Sequence, residues 1–205
     1  FFVVLRASSD IGAEFLAAVY YCMEVRLFGA GDSIDSVAAL TFPYFYCIPH
    51  VHKPECAASL RLLVQQEQID FILPAHDDAI DFLSKHSDLV PLLVGSPRET
   101  CRVARRKSLT YEKLDGIVPI PWWTMDTQQS FTFPIFLKPD RGQGSQGARR
   151  IENQLQLNAM LEQVPDPLLS EHLPGEEYTV DCFSARRQGL LFAKPRHRSR
   201  VRNGI

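Results

Sequence analysis

The sequence has few cysteines and no long apolar run, and these two shortages exclude several classes of protein. Its five cysteines are scattered and form no Cys-x-x-Cys pair, so reduced thiols are expected instead of a disulfide framework or a zinc ribbon. The longest apolar run, residues 15–22, is far shorter than the roughly 20 residues that cross a bilayer. No basic start with a small-residue cleavage site is present. We therefore expect a cytoplasmic protein without a membrane partner.

Aromatic, charged and apolar residues occur in the proportions of an ordinary globular protein of 205 residues, enough for one large domain or two small ones. The net charge of −2 hides an asymmetry, since residues 1–95 carry net −7 and residues 96–205 net +5. The positive second half predicts an anionic ligand there. Charge alone does not distinguish a nucleotide from a nucleic acid.

The first half alternates predicted strands with predicted helices, which favours a parallel sheet with helices on its faces. Turn chemistry at residues 6–10 follows the first strand, and Asp10 is a candidate cap for the first helix. The predicted strands are residues 1–5, 24–28, 70–74 and 89–94, and the predicted helices are residues 11–22, 56–68 and 78–85. His50 and His52 could ligate a metal, but a polar loop is favoured because no acidic or cysteine partner is nearby.

The pattern changes near residue 96, where we place a domain boundary that separates residues 1–95 from 96–205. A basic helix over residues 98–114 leads into a connector and an α+β arrangement. Short strands are predicted at residues 133–138, 147–151, 168–173, 178–183 and 190–194, with a helix at 153–163 and a hairpin turn at 185–189.

A lysine followed by a glycine-rich loop is the strongest local signal. Lys138 ends a predicted strand, and Gly142, Gly144 and Gly147 follow it. Glycine lets backbone amides approach phosphate oxygens without an intervening Cβ, and the lysine supplies positive charge. A glycine-rich hairpin beside an exposed lysine explains the same residues equally well.

A second signal lies at residues 168–181, where a strand, a Pro-Gly kink and another strand follow in order. This arrangement exposes backbone groups at Glu171–Leu173 that can contact an adenine edge, and a carboxylate just beyond suits ribose hydroxyls. An ordinary strand connection with solvated glutamates is the simpler explanation.

Taken together and in this order, these segments resemble the ATP-grasp superfamily, in particular carbamoyl-phosphate-synthase-large-subunit-like enzymes and carboxylate–amine ligases. The other segments that carry the resemblance are residues 8–12, 70–78, 104–107 with Thr110, and 116–121. The resemblance implies a Rossmann-like α/β pre-ATP-grasp domain with a parallel sheet at residues 1–95. The first α+β part of an ATP-grasp domain would follow at 96–205, with a helical linker (98–115), a flap subdomain (118–170) and the start of a C-terminal subdomain (171–205).

The same resemblance implies an ATP site. Lys107 and Lys138 would contact the phosphates, with Lys138 as the catalytic residue, and residues 142–147 would form the flap over them. The implied ATP-binding residues are Lys107, Lys138, Gly142, Gly144, Ser145, Gly147, Ser170, Glu171, His172, Leu173 and Glu177, the last of these at the ribose. Arg106 departs from the pattern, since the family usually has Asp before this lysine.

The family's Mg²⁺ ligands come from a later segment, so we expect them beyond Ile205 and expect the chain to be truncated. Small-molecule carboxylate and nucleophile substrates are implied, with Asp10, Asp77, Asp78 and Arg198 as tentative substrate residues. A homo-oligomer is left open, as is the role of the alternating arginines over residues 196–202, which a solvated edge strand would also explain.

Three other functions fit parts of the sequence. An NAD-dependent Rossmann oxidoreductase is disfavoured because the first turn lacks Gly-x-Gly-x-x-Gly. A nucleic-acid-binding module is disfavoured because the basic half lacks an exposed aromatic series, and we expect no nucleic acid partner. A non-catalytic nucleotide-binding fragment stays open.

Overall fold

A computed structural model describes residues 1–142, 144–185 and 188–197, and the chain divides into two compact units, Phe1–Arg105 and Arg106–Ile205. The division falls about ten residues after the expected boundary near residue 96. The reason is that the helix Arg98–Arg105 packs on the helix Asp77–Ser84 of the first unit and binds its first turn. The finer domain limits stay a prediction.

The first unit is built around a parallel four-stranded sheet with the strand order β3-β2-β1-β4. The strands are β1 (Phe2–Leu5), β2 (Leu27–Gly31), β3 (Phe45–Cys47) and β4 (Phe71–Pro74). The helices are α1 (Asp10–Val19), α2 (Val37–Thr41), α3 (Cys56–Gln66), α4 (Asp77–Ser84) and α5 (Arg98–Arg105), with a 3₁₀ helix at Val90–Leu92. This confirms the predicted α/β class.

Alternating side chains of β1 supply a separate core on each face of the sheet. Val3 and Leu5 pack with residues of α3 and α4, whereas Val4 packs with Leu16 of α1 and with Phe42. A strand buried on both faces is apolar throughout, which explains why β1 was readily predicted.

Three details of the first unit were predicted wrongly. The expected strand over residues 89–94 is a 3₁₀ helix with one isolated bridge from Leu93 to Ile72, because Pro91 cannot donate a ladder hydrogen bond. The cap of α1 is Ser9, whose Oγ accepts from Gly12 N at 3.1 Å, and Asp10 is the first helical residue. The second strand begins at Leu27, and the short α2 and β3 were not anticipated.

The second unit carries an antiparallel sheet of order β5-β8-β6-β7 and a separate two-stranded hairpin, β9–β10. Its elements are α6 (Lys107–Leu114), β5 (Trp123–Thr124), β6 (Ile135–Pro139), β7 (Arg149–Ile151), α7 (Gln154–Leu161), β8 (Pro167–Glu171), β9 (Tyr178–Ala185) and β10 (Gly189–His197). Ile135 and Leu137 of β6 pack with Leu157 of α7 on one face, so Phe136 and Lys138 point to the other.

The predicted helix over residues 98–114 is two helices, because Arg106 has an extended backbone (φ −119°, ψ 125°). Asp140 satisfies the first amides of α6: its backbone oxygen accepts from Lys107 N at 3.1 Å, and its Oδ1 accepts from Ser108 N at 2.8 Å. A distant residue therefore caps α6, which local sequence cannot reveal.

Within the described ranges, no helix is long and apolar enough to cross a membrane.

The cysteines differ sharply in accessibility, which gives a first testable prediction. Cys56 is fully buried and burial raises its pKa to about 11, whereas Cys22 and Cys47 are exposed. Because the thiolate is the reactive form, we expect a thiol reagent at pH 8 to label Cys22 and Cys47 rapidly and Cys56 only after unfolding. Peptide mapping by mass spectrometry would measure each rate; equal rates at Cys47 and Cys56 would contradict the burial of Cys56.

Candidate functional site

A cavity of about 370 Å³ in the second unit lies where β6 ends and the glycine loop begins. Its walls combine cationic, glycine and acidic residues that are far apart in sequence. They are Lys107, Phe136, Lys138, Pro139, Gly142, Gly144, Ser145, Gln146, Ala148 and Glu177. The structure therefore brings together six of the predicted ATP-binding residues in one concave surface.

Lys138 is held in the cavity by a neutral aromatic neighbour. Its Nζ donates to Tyr111 Oη at 2.7 Å and lies 5.0 Å from the centroid of that ring. The ring of Tyr111 also lies 5.8 Å from Trp123, so the partner is itself packed. A hydroxyl and a π face orient an ammonium without cancelling its charge, which leaves that charge for an anion.

Lys107 spans from the start of α6 to the root of the glycine loop. Its Nζ donates to Pro139 O at 2.8 Å, with longer contacts to Asp140 O (3.4 Å) and Gly142 O (3.5 Å). These contacts place the ammonium group of Lys107 in the cavity wall. The ammonium also fixes the loop's first residues relative to α6.

The glycine loop adopts backbone conformations that favour glycine. Gly144 and Gly147 have φ of 62° and 72°, in the left-handed region, and Ser145 between them has φ of 58°. Such conformations cost little for glycine and more for residues with a Cβ. The sequence signal of three closely spaced glycines therefore reflects a real local requirement.

Asp140 and Tyr111 support the cavity and were missed by sequence reasoning. Asp140 is 1% exposed, and its Oδ2 lies 3.8 Å from Arg106 Nη1, so it anchors the residues on either side of Lys107. Nothing in the sequence marks Tyr111, which is 27 residues from the lysine it binds. For Asp140, the sequence feature that could have marked it is its position directly after Lys138 and Pro139.

The predicted adenine residues do not line this cavity. Ser170 is buried and pairs with Phe136 across β8 and β6, so it lies on the same face of the sheet as Lys138. The amide of Glu171 donates to Trp122 O at 3.0 Å, and Leu173 is largely exposed. His172 is half-buried, and Gly147 lies between Gln146 and Ala148, which line the cavity, without lining it itself. Their assignment to ATP stays a prediction.

The tentative substrate carboxylates lie in the first unit, at the carboxyl edge of its sheet. Asp10 begins α1 after β1, and Asp77 and Asp78 begin α4 after β4, which is parallel and adjacent to β1. Arg105 Nη1 binds Asp77 at 2.9 Å, and its Nη2 binds Asp78 at 2.6 Å. Both aspartates are therefore engaged in ion pairs. Arg198 lies outside the described residues.

No group of three or more His, Cys, Asp or Glu side chains that could hold a metal ion occurs within the part of the chain that the structure describes.

Comparison with known families agrees with this geometry. Residues 104–203 match the family model of the ATP-grasp domain. The matched segment contains both lysines, the glycine loop and Glu177.

Solved structures show the same fold over nearly the whole chain. An L-amino acid ligase from Bacillus licheniformis matches with a TM-score of 0.75 and 15% identity, over 97% of this chain and 50% of that one. An N5-carboxyaminoimidazole ribonucleotide synthetase from Thermotoga maritima matches with a TM-score of 0.68 and 14% identity, over 92% and 51%.

A third structure is the biotin carboxylase domain of the Hydrogenobacter thermophilus 2-oxoglutarate carboxylase, in complex with MgADP, ADP and bicarbonate. It matches with a TM-score of 0.62 and 16% identity, over 86% and 45%. The chain thus spans about half the length of these structures. No curated protein sequence matches it significantly.

Proposed function

We propose that this chain binds ATP in the cavity of its second unit, as part of a ligase that activates a carboxylate for attack by an amine or a similar nucleophile. The observation that carries the proposal is the cavity of about 370 Å³ between Lys138 and the glycine loop, where Tyr111 Oη holds the ammonium group of Lys138 and Pro139 O that of Lys107. The match of residues 104–203 to the family model of the ATP-grasp domain supports it.

The two lysines act on the phosphates by charge. Opposite unit charges 4 Å apart attract by about 4 kcal/mol at an effective dielectric constant of 20. Desolvation of the ammonium groups removes part of this gain. Because Tyr111 and the loop carbonyls already fix the two side chains, little further ordering is needed when the triphosphate binds.

In the proposed reaction, a carboxylate oxygen of the substrate attacks the γ-phosphorus of ATP, and the bond to the β,γ-bridging oxygen breaks to release ADP. The nucleophile then attacks the acyl carbon, the C–O bond to the phosphate breaks, and phosphate leaves while the nucleophile loses a proton to solvent. Lys138 contributes by positioning the γ-phosphate and neutralising charge that develops on its oxygens.

The finer parts of the proposal concern the substrates and the cofactors. Small-molecule carboxylate and nucleophile substrates fit the names of the similar ligases, and the MgADP complex of one of them supports ATP with Mg²⁺ as the nucleotide form. Carbamoyl-phosphate-synthase-like chemistry is one form of this reaction. Glu177, on the cavity wall, is proposed to bind the ribose.

Calorimetric titration tests the binding step. We expect a non-hydrolysable ATP analogue to bind one site with an affinity that falls as salt rises, because the contacts are ionic. NAD⁺ and single-stranded DNA, the ligands of the two rival functions, should give no saturable heat. Saturable NAD⁺ binding without ATP binding would replace the proposal with an oxidoreductase, and no nucleotide binding at all would overturn it.

A further inference from the structure

The carboxyl edge of the first unit's sheet carries an arginine at the point where strand order reverses. From β1 the chain moves to β2 and β3 on one side, and β4 then pairs with β1 on the other. Open parallel sheets bind ligands in the crevice at such a reversal, outside the carboxyl ends of the strands. Arg6 is the residue that directly follows β1 there.

Arg6 has an unusual backbone conformation for its residue type. Its φ is 64°, in the left-handed region, which is uncommon for a residue with a Cβ. The turn is closed by Ser9 N, which donates to Arg6 O at 3.1 Å, and by Ala7 N, which donates to Ala30 O at 3.1 Å. Backbone of this kind recurs at ligand sites, where surrounding structure holds it in place.

The guanidinium of Arg6 is oriented by a neutral histidine. Its Nη1 donates to Nε2 of His50, which follows β3. An arginine can only donate, so this ring nitrogen is the acceptor. Burial lowers the pKa of His50, and the charge of Arg6 lowers it further, against the opposing effects of Asp32 and Asp78. A neutral His50 fixes Arg6 without compensating its charge.

Three other arginines of the first unit form ion pairs with carboxylates. Arg61 binds Asp88 at 2.6 Å, Arg102 binds Glu99 at 2.7 Å, and Arg105 binds two aspartates. In residues 1–142, 144–185 and 188–197, by contrast, no carboxylate forms an ion pair with Arg6 within 4.0 Å. Arg6 is thus a half-buried, oriented cation at a ligand-binding edge.

We infer that Arg6, supported by His50, is a binding residue for the carboxylate group of a small molecule. The planar guanidinium matches a carboxylate in a two-point contact, and one side of the fork is already positioned by the histidine. The inference rests on the proposed function only in taking this ligand to be the ligase's carboxylate substrate. The inference assigns substrate binding to Arg6 and not to Asp77 and Asp78, which form ion pairs with Arg105.

The test follows the ring signals of His50 by NMR while acetate, succinate or L-alanine is added to the 205-residue chain at constant ionic strength. We expect a saturable shift of the His50 signals, with millimolar affinity for at least one of these acids. Arg6→Gln should weaken that affinity about tenfold or more, as expected for loss of a charge-assisted contact. The matched control, Arg61→Gln, removes a surface arginine of the same unit and should leave it unchanged.

Equal carboxylate affinity in the wild type and Arg6→Gln would overturn the inference, as would the absence of a saturable His50 shift with all three acids. Inorganic phosphate is a further arm, and tighter binding of phosphate than of every acid would overturn the carboxylate assignment. If Arg6→Gln does not fold, the wild-type titration and the Arg6→Lys variant still test the inference. Arg6→Lys keeps the positive charge but loses the two-point contact, so it should bind the carboxylate more weakly than the wild type. ATP titrations of the same proteins report separately on the proposed function.

Discussion

Asp140→Ala is expected to lower the free energy of unfolding of the second unit by about 1–3 kcal/mol. Its carboxylate is 1% exposed, accepts from Ser108 N at 2.8 Å and faces Arg106 at 3.8 Å. Removing this cap leaves the buried amide of Ser108 without its acceptor, which costs about 1–3 kcal/mol. The backbone bonds of Asp140 to Lys107 and Asp166 do not depend on the side chain and should survive.

Urea denaturation followed by circular dichroism measures this change. The dependence of the unfolding free energy on urea concentration should be the same in the wild type and the variant. The matched control is Asp115→Ala, which removes an exposed carboxylate at the other end of α6, and it should change stability by less than about 0.5 kcal/mol. Equal effects of the two substitutions would show that Asp140 does not cap α6.

The parallel sheet of the first unit could be predicted because its signals are local. β1 is apolar throughout since both faces are buried, and α3 shows its buried face in the spacing of Cys56, Leu60 and Leu63. The expected strand over residues 89–94 was wrong because Pro91 removes a donor that a strand needs, although the segment is apolar.

The candidate site was only partly predictable, for a different reason. Lys138 and the glycines that follow it could be recognised in the sequence, because the loop conformation favours glycine at those positions. Tyr111 and Asp140 contribute through contacts made 27 and 32 residues away along the chain. Single-sequence patterns carry no information on such pairs, so these two residues emerge only from the folded structure.

The same limit explains Arg6 and His50. The two residues are 44 positions apart, and each follows a different strand of the sheet. Sequence reasoning treated Arg6 as turn chemistry and His50 as part of a polar loop. Their contact, and the neutral state of His50 that it requires, depends on the strand order β3-β2-β1-β4.

Lys138→Met is expected to weaken ATP binding by about one to two orders of magnitude, equivalent to about 1.4–2.8 kcal/mol. The substitution removes the ammonium, while the apolar stem can still pack against Phe136 and Tyr111, which lie beside the lysine. The Tyr111 hydroxyl loses one donor on a half-buried surface that water can reach, so stability should change little. The effect should therefore fall on the affinity for ATP and not on folding.

Calorimetric titration of a non-hydrolysable ATP analogue measures the affinity, and thermal unfolding verifies that the variant is folded. The matched control is Lys113→Met, which removes an exposed lysine on α6, outside the residues that line the cavity, and should leave ATP binding within about twofold of the wild type. Glu177→Ala should cost less than Lys138→Met, because hydroxyl contacts to one exposed carboxylate compete with water. Equal ATP affinity in the wild type and Lys138→Met would remove Lys138 from the phosphate site, because a bound triphosphate in this cavity would lie against its ammonium group.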